Sequence, residues 1–449
     1  MGGDGVGLRG GGGGPSSSWP VSAGGAGPSS PPTSLVAGEA WGALRFFTSH
    51  RDARRSEAAL LLHGGVDVAS RDVALKSGWT GLRLHPWGSL PPLLRRPRGA
   101  ESLNTLSLVA EDSEEVPLVV THGYAAGLGF FYRNYGAMTE GHEGIKGRRT
   151  VHAVDLLGFG LSSRPHFAPK TTEEAEGFFL DSLEAWRESM GLGRFVLLGH
   201  SMGGYLATLY AQRHPERVAG LVLVDPAGLR HEADPDGYVQ RSRFWREDDK
   251  WKQWKIGAMQ YLWHNTTPMA FMRLMGPLGK PAIHNMVDFR WGRMMNGVSE
   301  SECKAIAEYL YHTWAADPSA EKCVSLIFAP GALARHAVEH RMDRVKCPVA
   351  FIYGEKSWIS WKESERIRAE KLSHVPTTGC LVPHAGHQVF IENAEGFNEA
   401  LRRALSDMRP HLGLHLDEKS APKEALDVRA LGRVEADATP GGSAFNPRF

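Results

Sequence analysis

The sequence predicts an α/β fold, a mostly parallel, doubly wound sheet interrupted by a helical lid. The first observation is a set of short, nearly continuous apolar runs closed by turn residues, at 116–122, 150–155, 195–199, 221–225 and 349–354. Runs of that length suit strands buried on both faces. The second is that helical stretches alternate with them, at about 173–190, 204–214 and 394–407. That alternation produces right-handed crossovers packed on a parallel sheet. The third is a break in the alternation at about 228–344. A structureless loop of such length is improbable in a compact domain, so this insertion is expected to be helical.

Composition bounds what surrounds that body. Of 449 residues, 42% are hydrophobic, with 13 Trp and 18 Phe, enough for a sizeable core. Lys plus Arg number 51 against 50 Asp plus Glu, a formal +1. No global field therefore recruits nucleic acid. Cys303, Cys323, Cys347 and Cys380 form no C-x-x-C pair and no disulfide framework, so the expected setting is a reducing, intracellular one, without zinc. Neither a metal nor a cofactor is expected. No apolar run reaches the ~18 residues of a membrane span, so membrane contact is expected to be peripheral.

The first 30 residues hold 12 Gly, a composition that cannot offset its ordering entropy. Residues 1–100 carry 11 Lys or Arg against 6 Asp or Glu and read as a mostly disordered, basic region with a targeting role. The opening Met-Gly-Gly is not a myristoylation signal, because the sixth residue is Val6. The folded domain is expected at 101–409, followed by a disordered tail at 410–449.

The chemistry concentrates at Gly199-His200-Ser201-Met202-Gly203, directly after an apolar run and before a helical one. In the α/β-hydrolase fold a nucleophile stands on such a strained strand-to-helix turn. Ser201 is the expected nucleophile. His122-Gly123-Tyr124 closes an earlier strand, where the oxyanion loop belongs, so the backbone N–H groups of Tyr124 and Met202 are the expected donors. The base is expected after the last strand, where Pro383-His384-Ala385-Gly386-His387 offers two histidines. His387 is chosen because a glycine precedes it and apolar residues follow. The acid stays open: Glu355, Glu363 and Asp225 are the alternatives.

Several words of the chain recur together in one family. They are Leu103-Asn-Thr-Leu106, His122-Gly-Tyr-Ala-Ala-Gly127, Asp155-Leu-Leu-Gly-Phe-Gly-Leu-Ser-Ser-Arg-Pro165, Glu184-Ala-Trp-Arg187, Leu221-Val-Leu-Val-Asp-Pro226, Gly276-Pro277, Tyr309-Leu-Tyr-His312 and Phe351-Ile-Tyr-Gly354. Over about residues 102–408 the sequence resembles the α/β-hydrolase-domain subfamily of the N-acyl-phosphatidylethanolamine lysophospholipase, the lipid-droplet lipase coactivator and the cardiolipin deacylases. The resemblance implies a phospholipid or lysophospholipid substrate and a serine hydrolase of acyl esters, acting in lipid homeostasis and acyl-chain remodelling. Its alternatives are an acyltransferase or transacylase onto lysophosphatidic acid and a non-catalytic coactivator. The coactivators carry Asn at the nucleophile position, whereas this chain keeps Ser201. Two departures stand out. The family's H-x-x-x-x-D reads His387 to Glu392, and its Trp-Ile-Asp reads Trp358-Ile359-Ser360.

The lid has its own chemistry. Residues 241–293 carry 10 Lys or Arg against 4 Asp or Glu, while residues 101–409 as a whole sum to −3. Seven of the 13 Met fall between Met259 and Met295. Lys250, Lys252 and Lys255 beside Trp251 and Trp254 are therefore expected to meet anionic headgroups while Met accommodates acyl chains. The expected protein is a monomer at a peripheral membrane or lipid-droplet surface, in the mitochondrion or the cytosol.

Overall fold

The computed structural model describes residues 48–74, 101–111, 113–141, 148–233, 235, 252–293 and 298–412. Of the two units into which the chain divides, Met1–Leu44 lies outside the described residues and Arg45–Phe449 contains everything below. In chain order its elements are α1 (His50–His63), β1 (Arg71–Ala74), β2 (Ser102–Leu108), β3 (Leu118–Thr121), β4 (Val151–Val154), α2 (Thr172–Ser189), β5 (Phe195–His200), α3 (Met202–Arg213) and β6 (Val218–Val224). The insertion follows with α4 (Lys252–Asn265), α5 (Pro268–Leu274), α6 (Gly279–Val287), α7 (Glu300–Ala315) and a two-stranded ribbon, β7 (Phe328–Ala329) and β8 (Leu333–Ala334). Then come β9 (Val349–Gly354), α8 (Lys362–Lys371), β10 (Thr377–Val382) and α9 (Ala394–Met408).

Eight strands form one sheet in the order β1-β2-β4-β3-β5-β6-β9-β10. β2 pairs antiparallel with β1 and with β4, and every pairing from β4 onward is parallel. Every residue of β3, β4, β5, β6 and β9 is buried. That double burial is why these strands are written as continuous apolar runs. β10 is an edge strand whose residues are mostly half-buried or exposed. Its sequence, Thr-Thr-Gly-Cys-Leu-Val, accordingly lacks an apolar run.

Side chains alternate between two cores. Val196 and Leu198 of β5 join Leu60 and Leu61 of α1 and Leu401 and Leu405 of α9 on one face. Phe195 and Leu197 join Phe179 and Trp186 of α2, Leu209 of α3 and Ile367 of α8 on the other. Local signals start the helices. Thr171 caps α2 by accepting from the Glu174 N–H, and Ser299 and Glu302 form a reciprocal capping box at α7. The insertion is helical as expected over its described part, apart from the small ribbon.

One boundary differs from the sequence reading. α1 and β1 lie within the span assigned to a disordered N-terminal region, yet both belong to the hydrolase body. The reason is visible in α1, whose buried face mixes Ala53, Leu60 and Leu61 with the polar Ser56 and Glu57. Its anchor is a polar network rather than an apolar stripe. Glu57 accepts hydrogen bonds from the Ser70 hydroxyl and from Asn104 Nδ2 (3.0 Å), and Arg54 reaches Ser70, Asn104 and Asp72. Asn104 Nδ2 also donates to Asp155 Oδ2 at 2.8 Å.

Burial, reinforced by the Asp155 carboxylate, raises Glu57 from 4.5 to about 8. The folded state therefore binds a proton that the unfolded state has lost between those values. Stability contributed by this group falls as pH rises from about 4.5 through about 8, by up to ~1.4 kcal/mol per pH unit. Glu57→Gln should flatten that dependence and raise the melting temperature at pH 8 relative to pH 5. A melting curve series in which wild type and Glu57→Gln change in parallel over this range would contradict a proton on Glu57.

Candidate active site

β5 and α3 meet at Ser201, whose backbone is held at φ 53 and ψ −118. Such a conformation costs a non-glycine residue ~1–3 kcal/mol and persists only where its surroundings over-determine it. Here they do. The Ser201 N–H donates to Val224 O (3.0 Å), and its carbonyl accepts from the N–H groups of Gly204, Tyr205 and Ala227 (2.9, 3.1 and 3.1 Å). The flanking glycines are required by space. A Cβ on Gly199 would lie 2.3 Å from Gly203 O, and one on Gly203 would lie 2.5 Å from His122 O.

The elbow delivers the Ser201 hydroxyl to His387 Nε2 at 3.1 Å. Both expected residues therefore meet, although 186 positions separate them. His387 sits in the loop after β10, which is tied down from several sides. Lys356 N–H donates to Ala385 O (2.8 Å), Gly386 N–H donates to Glu392 Oε2, and His200 Nε2 bonds His387 O (3.0 Å). The imidazole packs between His200 and Trp358, at ring separations of 4.7 and 5.1 Å. Burial pushes His387 down to about 4, and the nearby Arg290 charge acts in the same direction. It is thus a neutral base at physiological pH. His384, the other candidate in this loop, is exposed and its N–H donates to Glu355.

The three acid candidates separate clearly. Glu355 is half exposed and engaged with the His384 backbone, and Glu363 pairs with Arg366 at 3.2 Å on α8. Neither carboxylate has a hydrogen bond to His387. Asp225, at the end of β6, is fully buried with φ 43. Its Oδ2 accepts from Gly354 N–H at 3.1 Å, and Ser357 supplies a side-chain hydrogen bond. Its Oδ1 has no partner, and neither has His387 Nδ1, although both atoms are buried. Because Nε2 faces the serine hydroxyl, the neutral tautomer that accepts there carries its proton on Nδ1. Asp225 thus meets the 354–357 turn through its side chain, and the loop that carries His387 meets it through Lys356 N–H and Ala385 O. Desolvation raises Asp225 to about 8, the expected fate of a buried carboxyl lacking a cationic partner. Ser360, where the resembling family carries Asp, is exposed.

The opposite wall is made by the loop after β3. His122 Nε2 accepts from Leu156 N–H (3.0 Å), so its Nδ1–H is free to donate to Gly123 O (2.7 Å). Asp155 Oδ1 accepts from Leu128 N–H (2.7 Å) and Oδ2 from Leu161 N–H (2.8 Å). These contacts fix the loop from both ends. Above it, α7 adds Trp314 Nε1 on Ala125 O (2.7 Å) and Tyr309 on Gly129 N–H (3.3 Å). Among the described residues the backbone N–H groups of Tyr124 and Met202 have no acceptor. A polarised hydroxyl, a neutral imidazole and open N–H donors can perform acyl transfer through a covalent intermediate.

Of the expected lid contacts, Trp254 is 68% exposed. Lys250 and Trp251 lie outside the described residues, as do the side chains of Lys252 and Lys255 in α4. The sequence reading did not anticipate the apolar surface that continues from there. Eight of the eleven exposed large hydrophobic side chains among the described residues lie between Trp254 and Phe289. Glu392, singled out in the sequence only as a departure from the H-x-x-x-x-D word, is tied to the Gly386 N–H and to Arg290. No group of metal-ligating side chains occurs among the described residues, and no described helix is long and apolar enough to cross a membrane.

Residues 116–394 match the family model of the alpha/beta hydrolase fold. Over 303 residues the chain is 39% identical to a 1-acylglycerol-3-phosphate O-acyltransferase of Arabidopsis thaliana, covering 67% of this chain and 68% of that protein. It is 31% identical over 296 residues to the (lyso)-N-acylphosphatidylethanolamine lipase of Homo sapiens, covering 66% and 80%. A solved bacterial membrane phospholipase A shares the fold with a TM-score of 0.51 at 19% identity, over 84% of this chain and 96% of that one. The match spans the sheet from β3 onward, the elbow, the lid and the histidine loop, and the chain belongs to the α/β-hydrolase family.

Proposed function

We propose that this protein is a serine hydrolase of lysophospholipid acyl esters that works through an acyl-enzyme on Ser201. The observation that carries the reading is the 3.1 Å contact between the hydroxyl of a strained elbow serine and His387 Nε2. Ser201 Oγ attacks the ester carbonyl carbon as its proton passes to Nε2. The N–H groups of Tyr124 and Met202 take the developing oxyanion. Nε2 then protonates the departing glycerol oxygen as the C–O bond breaks, and water, activated by the same nitrogen, releases the fatty acid. The 31% identical (lyso)-N-acylphosphatidylethanolamine lipase supports a phospholipid or lysophospholipid as the acyl donor.

Asp225 is the residue we assign to hold the imidazole. A carboxylate against Nδ1–H would give each orphaned atom its missing partner and stabilise the imidazolium that forms in the transition state. A second reading keeps the same acyl-enzyme and delivers the chain to a lipid hydroxyl instead of water. The 39% identical acyltransferase favours it.

The lid supports a lipid surface as the place of work. Tyr261, Leu262, Phe271, Leu274, Leu278 and Phe289 are each more than half exposed and lie in or beside a basic segment. Exposed apolar side chains beside basic charge suit an anionic monolayer.

A fluorophosphonate probe should label wild type and leave Ser201→Ala unlabelled. Equal labelling would remove the enzyme reading. Asp225→Asn should lower hydrolysis of a soluble ester by ~10²–10⁴, and Ser360→Asp should restore part of that loss in the same background. No loss on Asp225→Asn would assign the imidazole to another partner. Leu274→Asp with Leu278→Asp should weaken sedimentation with phosphatidic acid vesicles and spare soluble-ester turnover. Undiminished sedimentation would place the docking surface elsewhere.

A further inference from the structure

Arg290 stands at the join of lid and active site. It lies in the π-helical turn Asp288–Arg293 that follows α6. Its Nη2 donates to Glu392 Oε1 at 3.2 Å, and its guanidinium lies 5.3 Å from the ring centre of the buried Trp291. Glu392 is wholly buried, and its other oxygen accepts from Gly386 N–H, next to His387. The carboxylate therefore fixes a cation beside the catalytic loop. That cation acts on His387 directly, since its charge helps to lower the imidazole's proton affinity.

The other basic side chains of this part of the lid are spoken for. Arg273 is buried against Glu321, Lys280 pairs with Glu308 at 2.8 Å, and Arg293 pairs with Asp288 at 2.8 Å. Arg290 differs in geometry. One edge is used by Glu392, while its Nε and Nη1 meet no acceptor among the described residues, and the side chain is 45% exposed. A guanidinium held by one edge presents the other as a planar, bidentate donor, the geometry that fits two oxygens of a phosphate. Met286 and Phe289, both exposed, lie on the same short segment and offer apolar surface to an acyl chain.

We propose that the free edge of Arg290 binds the phosphomonoester headgroup of a lysophospholipid, with Glu392 holding the guanidinium in place. This rests on the hydrolase reading above and narrows it to acyl substrates with an anionic headgroup. It also gives Glu392 two roles, as latch of the histidine loop and as positioning residue for the headgroup cation.

The test uses full-length Ser201→Ala protein, which binds without turning over. Titration calorimetry compares a short-chain lysophosphatidic acid, below its critical micelle concentration, with the monoacylglycerol of the same chain. The parent should prefer the phosphate-bearing lipid, and Arg290→Ala should cut that preference at least ~10-fold, the loss expected for a charge-assisted bidentate contact. Arg290→Lys, which keeps the charge and loses the fork, should fall between. Glycerol 3-phosphate should compete weakly.

Three results would overturn the proposal. The two lipids could weaken in proportion in Arg290→Ala, which would make the residue a structural tie alone. The preference could be unchanged. Glycerol 3-phosphate could bind as tightly as the lipid, which would make this a site for free phosphate. Wild-type turnover is measured separately. Binding that follows Arg290 without hydrolysis would sink the hydrolase reading and leave the headgroup site standing.

Discussion

The architecture hangs on a backbone constraint at Ser201. A positive φ at a non-glycine residue is tolerated only if strand, helix and neighbouring loop all press on it. Here β5, α3 and the loop after β3 approach so closely that the would-be Cβ atoms of Gly199 and Gly203 fall on backbone carbonyl oxygens. Parallel strands buried on both faces supply the rigidity, because every residue from Phe195 to His200 is buried. Strain at the elbow is thus offset by a sheet that could not shift without opening two cores. The same closeness brings Gly123 against the serine, where an added Cβ would lie 3.0 Å from Ser201 Cβ.

Much of this was legible in the sequence, and the reason is physical. Double burial writes strands as apolar runs, and close backbone approach writes glycines around the serine, so Ser201, His387 and the central strands could be read directly. The family words now have structural meanings. Trp186 of Glu184-Ala-Trp-Arg187 is fully buried and donates to Thr105 Oγ1 at 3.0 Å, and Asp155 ties the turn it opens to the loop after β3. What could not be read was held by polar groups. α1 carries Glu57 on its buried face, and β10 is a polar edge strand. The acid stayed open in the sequence, because three carboxylates were equivalent as letters, and it is burial that sets Asp225 apart from Glu355 and Glu363.

Buried carboxylates are expensive, and this protein keeps several around one loop system. Glu57, Asp155, Asp225 and Glu392 have side chains at or near zero exposure. Each is met differently. Asp155 takes two backbone N–H groups and an amide, Glu392 takes a backbone N–H and a guanidinium, and Glu57 takes a hydroxyl and an amide. Asp225 alone among them leaves a buried oxygen unpaired. An unsatisfied buried acceptor of this kind costs ~1–3 kcal/mol. His387 Nδ1 is another buried atom of this site that lacks a partner, and the proposed pairing of the two would remove both costs at once.

Hydrolysis and acyl transfer share every step up to the acyl-enzyme, so what divides them is the second nucleophile. Water reaches any open site, whereas a lipid hydroxyl must be held where Nε2 can take its proton. A lipid hydroxyl needs an anchor for its headgroup, and under the proposal above the Arg290 guanidinium held by Glu392 would supply one. The replacement of Asp by Glu five residues after His387 bears on this choice. The carboxylate at that position still accepts from Gly386 N–H, and it also engages Arg290. With Glu at this position the histidine loop has a latch of its own, the Glu392 contact with Gly386 N–H. The balance then rests on how well the lid excludes water once the chain is seated, and that lid is joined to the base through one arginine and one buried glutamate.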